Sequence, residues 1–100
     1  AKGGVISLSK TVAVEYARRG IRVNTVCPGG IDSGGMSFYL KKMPEMLERV
    51  ENAHAMGRLA KPREIAYAVV FLCSERASFI TGHDLVVDGG LLVRSNVIDV

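Results

Sequence analysis

Along the first twenty positions, apolar residues return at intervals of three and four. In GGVISLSKTVAVEYARRG, Val5, Leu8, Val12 and Tyr16 share one side, with Ile6, Ala13 and Ala17 beside them. That spacing predicts a helix of about four turns with a broad apolar face over residues 3 to 19. Gly20 is placed to end it, and Arg18 and Arg19 suit the negative end of the helix dipole. The period then drops to two. IRVNTVCP sets Ile21, Val23, Thr25 and Cys27 against Arg22, Asn24 and Val26, and reads as a short strand over 21 to 27 ended by Pro28.

Helical spacing resumes in MSFYLKKMPEMLERVENA through Phe38, Leu40, Met43, Leu47 and Val50. Pro44 interrupts it, which predicts two short helices with a bend before the proline, because proline lacks a backbone donor and restricts the residue ahead of it. All four methionines, Met36, Met43, Met46 and Met56, fall here, so the segment from about 34 to 57 reads as an adaptable flap rather than a rigid core helix. KPREIAYAVVFLCSE predicts a helix with Pro62 at its first position and Glu64 in its first turn. Its apolar stripe widens until little polar surface remains, which calls for burial on more than one side. HDLVVDGG predicts a second strand over 84 to 88 before a turn at Gly89 and Gly90, and LLVRSNVIDV reads as a final edge strand or a docking segment.

Two strands joined through helices do not make a stable sheet alone, and strands of this type are normally covered on both faces. The elements therefore read as the later part of a larger doubly wound α/β domain. Composition supports this: 48% hydrophobic against 23% charged residues is apolar for a free domain of 100 residues. The formal charge of +3 has only one tight basic group, Arg18, Arg19 and Arg22, too small a footprint for nucleic acid. No apolar run approaches the roughly 18 residues of a membrane span, and no secretory signal heads the sequence. Cys27 and Cys73 read as buried thiols, pointing to a reducing, cytoplasmic compartment. His54 and His83 lie in separate elements without a metal set, and neither is assigned a ligand role.

CPGGIDSGG, residues 27 to 35, concentrates four of the 11 glycines directly after the first strand. Ligands in open α/β sheets sit beyond the carboxyl ends of strands, so residues 28 to 35 are the leading site by position. The loop holds neither G-x-G-x-x-G nor G-x-x-x-x-G-K-[ST], so position alone names no ligand, and a simple glycine turn stays open.

Four separated signals carry a resemblance: the lysine with small residues after it at the head of AKGGVISLSK, then GIRVN.V.PG, GR...P.EIA and ITG..L.VDGG. In this order and spacing, over about residues 1 to 90, the sequence resembles the C-terminal portion of the short-chain dehydrogenase/reductase family. The resemblance implies the C-terminal part of a doubly wound parallel-sheet Rossmann fold, with residues 1–100 forming part of an NAD(P)-binding domain. Residues 3 to 19 would be the helix carrying the active-site lysine, 21 to 27 the sixth strand and 84 to 88 the seventh.

Lys2 matches the lysine of the family's Tyr-x-x-x-Lys motif, which binds the cofactor ribose and lowers the pKa of the catalytic tyrosine; a nearby positive charge favours tyrosinate. That tyrosine would fall three residues before Ala1. Pro28 and Gly29 match the PG after the sixth strand, Ile31 the position whose backbone binds the nicotinamide carboxamide, and Ser33 a position usually held by threonine, whose hydroxyl it retains. Met36, Phe38, Tyr39 and Met43 would belong to a substrate flap of apolar, adaptable character.

Gly30, Gly34 and Gly35 depart from the family pattern and predict altered flap mobility rather than lost cofactor contacts. Asp32 reads as a loop or helix-start residue, Asn24 and Asp88 as hydrogen-bonding anchors, and Lys10 as ordinary helix surface.

The activity implied is hydride transfer between NAD or NADP and a small-molecule alcohol or carbonyl substrate, in a homodimer or homotetramer, with no metal, nucleic acid or membrane partner. The residues present would need the missing N-terminal part of the same fold, and alone they are expected to be inactive. Two other readings are a non-catalytic cofactor-binding scaffold and an oligomerisation module built on the apolar helices.

Overall fold

The computed structural model describes residues 2–97, with the side chains of Lys2, Met36, Asn96 and Val97 outside that description. Helix α1, Lys2–Tyr16, tightens into a 3-10 turn at Ala17–Arg19, and Gly20 ends it at φ +78°, a left-handed conformation that a side chain would disfavour. Strand β1, Thr25–Pro28, pairs in parallel with β2, Asp84–Val87, from Thr25 opposite Asp84 to Pro28 opposite Val87. The Val87 carbonyl accepts the Gly29 N–H at 3.1 Å, so the ladder never calls on the nitrogen of Pro28.

β1 begins later than the alternation predicts. Val23 and Asn24 are held instead by bonds to residues 80 to 83: Val23 N–H donates to Thr81 Oγ1 at 3.1 Å, Asn24 Nδ2 donates to the Ile80 carbonyl at 3.0 Å, and His83 N–H donates to Asn24 Oδ1 at 3.0 Å. Asn24 is thus the anchor expected of it, a side-chain rung where a backbone rung would otherwise stand.

Helices α2, Gly34–Lys41, and α3, Pro44–Ala53, break ahead of the proline as predicted, and α4 spans Pro62–Leu72. The tail corrects the strand expectation, because Leu91–Val97 forms helix α5. Asp88 explains the outcome: its Oδ1 accepts from Gly90 N–H at 2.9 Å and its Oδ2 from Leu92 N–H at 3.0 Å, which satisfies donors at the helix start.

Two cationic side chains tie helices to the sheet region. Lys10 is exposed on α1 as expected, and from there its Nζ donates to the Gly82 carbonyl at 2.9 Å and pairs with Asp84 Oδ2 at 3.1 Å. Thr25 Oγ1 donates to the other oxygen of Asp84 at 2.7 Å. The Thr25 hydroxyl first, and Lys10 second, hold the Asp84 carboxyl below the usual carboxylate range. Half-buried Arg22 donates to the carbonyls of Leu72 at 2.7 Å, Ser74 at 3.2 Å and Ile80 at 3.3 Å, placing its charge at the negative end of α4.

Among the described residues the buried apolar set is small: Ala13, Leu40, Leu72 and Ala77. Val5, Leu8 and Val14 on α1, and Tyr67, Val70 and Phe71 on α4, are exposed, as is Phe79. The breadth of those apolar faces exceeds what this chain covers. Cys27 is half-buried and Cys73 exposed, both unpaired, so the reading of two buried thiols is corrected.

Candidate functional site

The glycine loop leaves β1 beside the end of β2 and is pinned almost atom by atom. Gly30 N–H donates to His54 Nε2 at 2.9 Å, the Gly30 carbonyl accepts from Ala60 N–H at 2.9 Å, and Asp32 N–H donates to the Ala60 carbonyl at 2.8 Å. This makes a single parallel bridge between Ile31 and Ala60. In such a bridge the middle residue turns its own N–H and C=O away from the partner strand. The Ile31 carbonyl accepts from Ser33 N–H at 2.9 Å, whereas the Ile31 N–H has no acceptor among the described residues. Ser33 precedes α2 with an exposed hydroxyl that makes no capping bond.

Close packing accounts for the first two glycines. A Cβ at Gly29 would lie 2.9 Å from Asp88 Cα, and one at Gly30 would lie 2.8 Å from Leu59 Cδ2 and 3.1 Å from His54 Cε1. At Gly34 and Gly35 a Cβ would meet nothing within 4 Å, so packing does not require those two.

Sequence reasoning passed over His54. It is 4% exposed, and its Nδ1 lies 2.7 Å from the Val50 carbonyl one turn back on α3. With Gly30, Asp88 and Gly89 it lines a cavity of about 110 Å³ that Arg58 and Glu64 also reach. Arg58 grips Glu64 with two bonds, of 2.7 and 3.0 Å, and Glu64 also accepts from Lys61 N–H at 2.8 Å at the start of α4. The Arg58 guanidinium, then the Lys61 N–H, lower the Glu64 carboxyl to about 2. The GR...P.EIA string was legible as a pattern, but the fork was not.

The predicted residues separate into groups. Pro28, Gly29, Ile31 and Ser33 follow one another along the loop at the sheet's carboxyl edge. Phe38, Tyr39 and Met43 are exposed on α2 and the turn after it, where Phe38 and Tyr39 meet edge to face at 5.7 Å and Lys42 Nζ lies 4.2 Å from the Phe38 ring centre. Met43 borders an open depression with Pro44, Met46 and Arg49. Lys2 opens α1 and Met36 lies within α2, but the side-chain roles expected of them fall outside the described residues.

Residues 1–92 match a family model described as enoyl-(acyl carrier protein) reductase, which covers nearly the whole chain. The chain belongs to the short-chain dehydrogenase/reductase family. It is 43% identical to 2-(S)-hydroxypropyl-CoM dehydrogenase 3 of Xanthobacter autotrophicus, over 91% of this chain and 37% of that protein. Against the inactive 2-(S)-hydroxypropyl-CoM dehydrogenase 2 of the same organism it is 44% identical, over 91% of this chain and 41% of that protein. A solved structure, ElxO with NADP bound, superimposes with a TM-score of 0.85 at 36% identity, covering 92% of this chain and 37% of that one. This short-chain dehydrogenase/reductase sequence thus spans little more than a third of the length of the relatives it matches, and its fold is the C-terminal part of a doubly wound Rossmann fold. Exposed apolar faces on α1 and α4 are what such a part leaves uncovered.

Proposed function

We propose that the full-length protein is an oxidoreductase that transfers hydride between NAD or NADP and an alcohol or carbonyl substrate, and that residues 28 to 35 form its cofactor loop. One observation carries the reading: at the carboxyl edge of a parallel strand pair, the pinned loop leaves the Ile31 N–H without an acceptor among the described residues and the Ser33 hydroxyl exposed. Those groups suit a carboxamide, which both donates and accepts hydrogen bonds. When bound, the nicotinamide supplies or accepts the hydride. Pro28 and Gly29 shape the approach, Ile31 and Ser33 orient the amide, and Lys2 holds ribose hydroxyls and favours the ionised form of the motif tyrosine. Phe38, Tyr39, Met43 and Met36 belong to the substrate flap. The neighbour solved with NADP is in keeping with this assignment.

The motif tyrosine is not among these residues, and we expect the 100-residue chain alone to be inactive. We place the full-length protein in the cytoplasm as a homodimer or homotetramer. Its unpaired cysteines and the exposed apolar faces of α1 and α4 support that placement. No described helix is long and apolar enough to cross a membrane.

A second reading, a non-catalytic cofactor-binding scaffold, is favoured by the 44% identity to a relative named as inactive. Lys2→Ala in the full-length protein tests both. For an enzyme, cofactor affinity and turnover fall together, the apparent pKa of the general base rises, and Lys2→Arg restores only part, because a planar fork does not reproduce a compact ammonium. For a scaffold, affinity falls with no turnover to lose. Unchanged affinity, rate and pH profile in Lys2→Ala would overturn the assignment of Lys2.

A further inference from the structure

The glycine loop carries one side-chain bond that a proton can break. Gly30 N–H donates to His54 Nε2 at 2.9 Å, so that nitrogen must present a lone pair. His54 Nδ1, 2.7 Å from the Val50 carbonyl, must then hold the proton. Both ring nitrogens are committed to one neutral tautomer, in a ring only 4% exposed. The ring reaches the loop because glycine stands there: a Cβ at Gly29 would lie 3.0 Å from Nε2, and one at Gly30 would lie 3.1 Å from Cε1. The other contacts pinning the loop, through Val87 and Ala60, are backbone to backbone and do not titrate.

We infer that His54 is a positioning residue for the cofactor loop, its neutral ring holding Gly30 in place and its protonation releasing it. The inference rests on the reading of residues 28 to 35 as that loop. A second proton would set N–H against N–H and leave the Gly30 amide without its acceptor. The next amide, Ile31, is the one assigned to the carboxamide, so release of Gly30 reaches the cofactor directly.

The charged groups around the ring are already engaged or lie apart from it. Asp88, across Gly29, caps α5; Arg58 and Glu64, on the shared cavity, bind each other; Glu51 on α3 contributes its backbone carbonyl to His54 N–H. Arg94 of α5 borders α3 in a separate depression with Glu48 and Asn52. Among the described residues none of these side chains bonds the imidazole.

The test uses the full-length protein and measures the Kd for NAD and NADP in steps from pH 8 down to the lowest pH at which the protein stays folded. Wild type should weaken as the pH falls, to about tenfold once the ring is protonated, the effect of stranding one buried donor. His54→Gln keeps an acceptor for Gly30 without a titrating ring, so it should bind near wild type at pH 8 and lose the pH difference. His54→Ala should be about tenfold weaker throughout. A pH dependence of wild-type size surviving in His54→Gln, or full affinity in His54→Ala, overturns the role. Selective 15N-glycine labelling of the cofactor-free protein gives an independent readout: the Gly30 amide resonance should titrate together with His54 Cε1–H, and a resonance that stays fixed overturns the latch. If wild type binds neither dinucleotide at pH 8, it is the cofactor reading that fails, and the Gly30 resonance then decides the latch alone.

Discussion

Alanine at Gly29 tests whether close approach, rather than backbone freedom, fixes glycine in this loop. The added Cβ would stand 2.9 Å from both Asp88 Cα and Asp88 Cβ and 3.0 Å from His54 Nε2. Comfortable carbon contacts begin at about 3.5 Å, so roughly half an ångström must be found. Asp88 Cα is backbone at the end of β2, and its carboxylate caps α5, so it cannot retreat without disturbing both elements. Overpacking of this kind costs about 1–3 kcal/mol, and the rigid obstacle places Gly29→Ala in the upper half of that range.

Gly30→Ala collides first with Leu59 Cδ2 at 2.8 Å, the end of a flexible side chain, and belongs in the lower half. Gly34→Ala meets nothing within 4 Å in the first turn of α2 and should stabilise by about 0.4–1 kcal/mol through a less disordered unfolded chain. Thermal unfolding of the cofactor-free full-length protein at fixed concentration reads the order. A loss of about 2 kcal/mol lowers Tm by roughly 4–8 °C in a chain of about 150–250 residues. The reasoning is refuted if Gly29→Ala melts with wild type, or if Gly34→Ala is the variant that loses stability.

Three further outcomes are expected of the full-length protein. Arg22→Ala should cost about 1.5–3 kcal/mol by urea unfolding, because three carbonyls around the end of α4 lose a charged donor; Arg22→Lys, without the fork, should recover only part. The Asp84 carboxyl titrates lower in the folded chain than in the unfolded one. Its stabilising contribution is therefore full above the ordinary carboxylate pKa and lost as pH falls through the folded value; Lys10→Ala should raise the Asp84 midpoint in carboxyl NMR, with Thr25 still holding it partly down. Glu64 obeys the same sign, so its contribution fades only from about pH 4.5 down to about 2, and a carboxyl 13C titration with a midpoint near 4.5 would contradict the Arg58 fork.

Much of the local structure was written in local pattern. Period three to four named α1 and α4, Pro44 marked the break between α2 and α3, and Gly20 marked the end of α1. The ordered strings around Pro28, Arg58 and Asp88 carried the family. Each of these signals lies within a few residues, where steric limits and side-chain spacing act directly on the backbone. The tail shows where such signals stop: a short apolar run is compatible with strand or helix, and the Asp88 carboxylate closing on Gly90 and Leu92 selected the helix.

Long-range partnership was the tertiary structure's to decide. Lys10 reads as helix surface and is exposed, but that its ammonium donates to the Gly82 carbonyl, 72 residues on, no local pattern states. His54 reads as a histidine without a metal set or assigned role until Gly30, 24 residues before it, donates to its ring. A side chain's residue type states which bonds it can make, but folding alone brings up the atom at the other end, and with it the burial that turns an ordinary imidazole into a support for the loop.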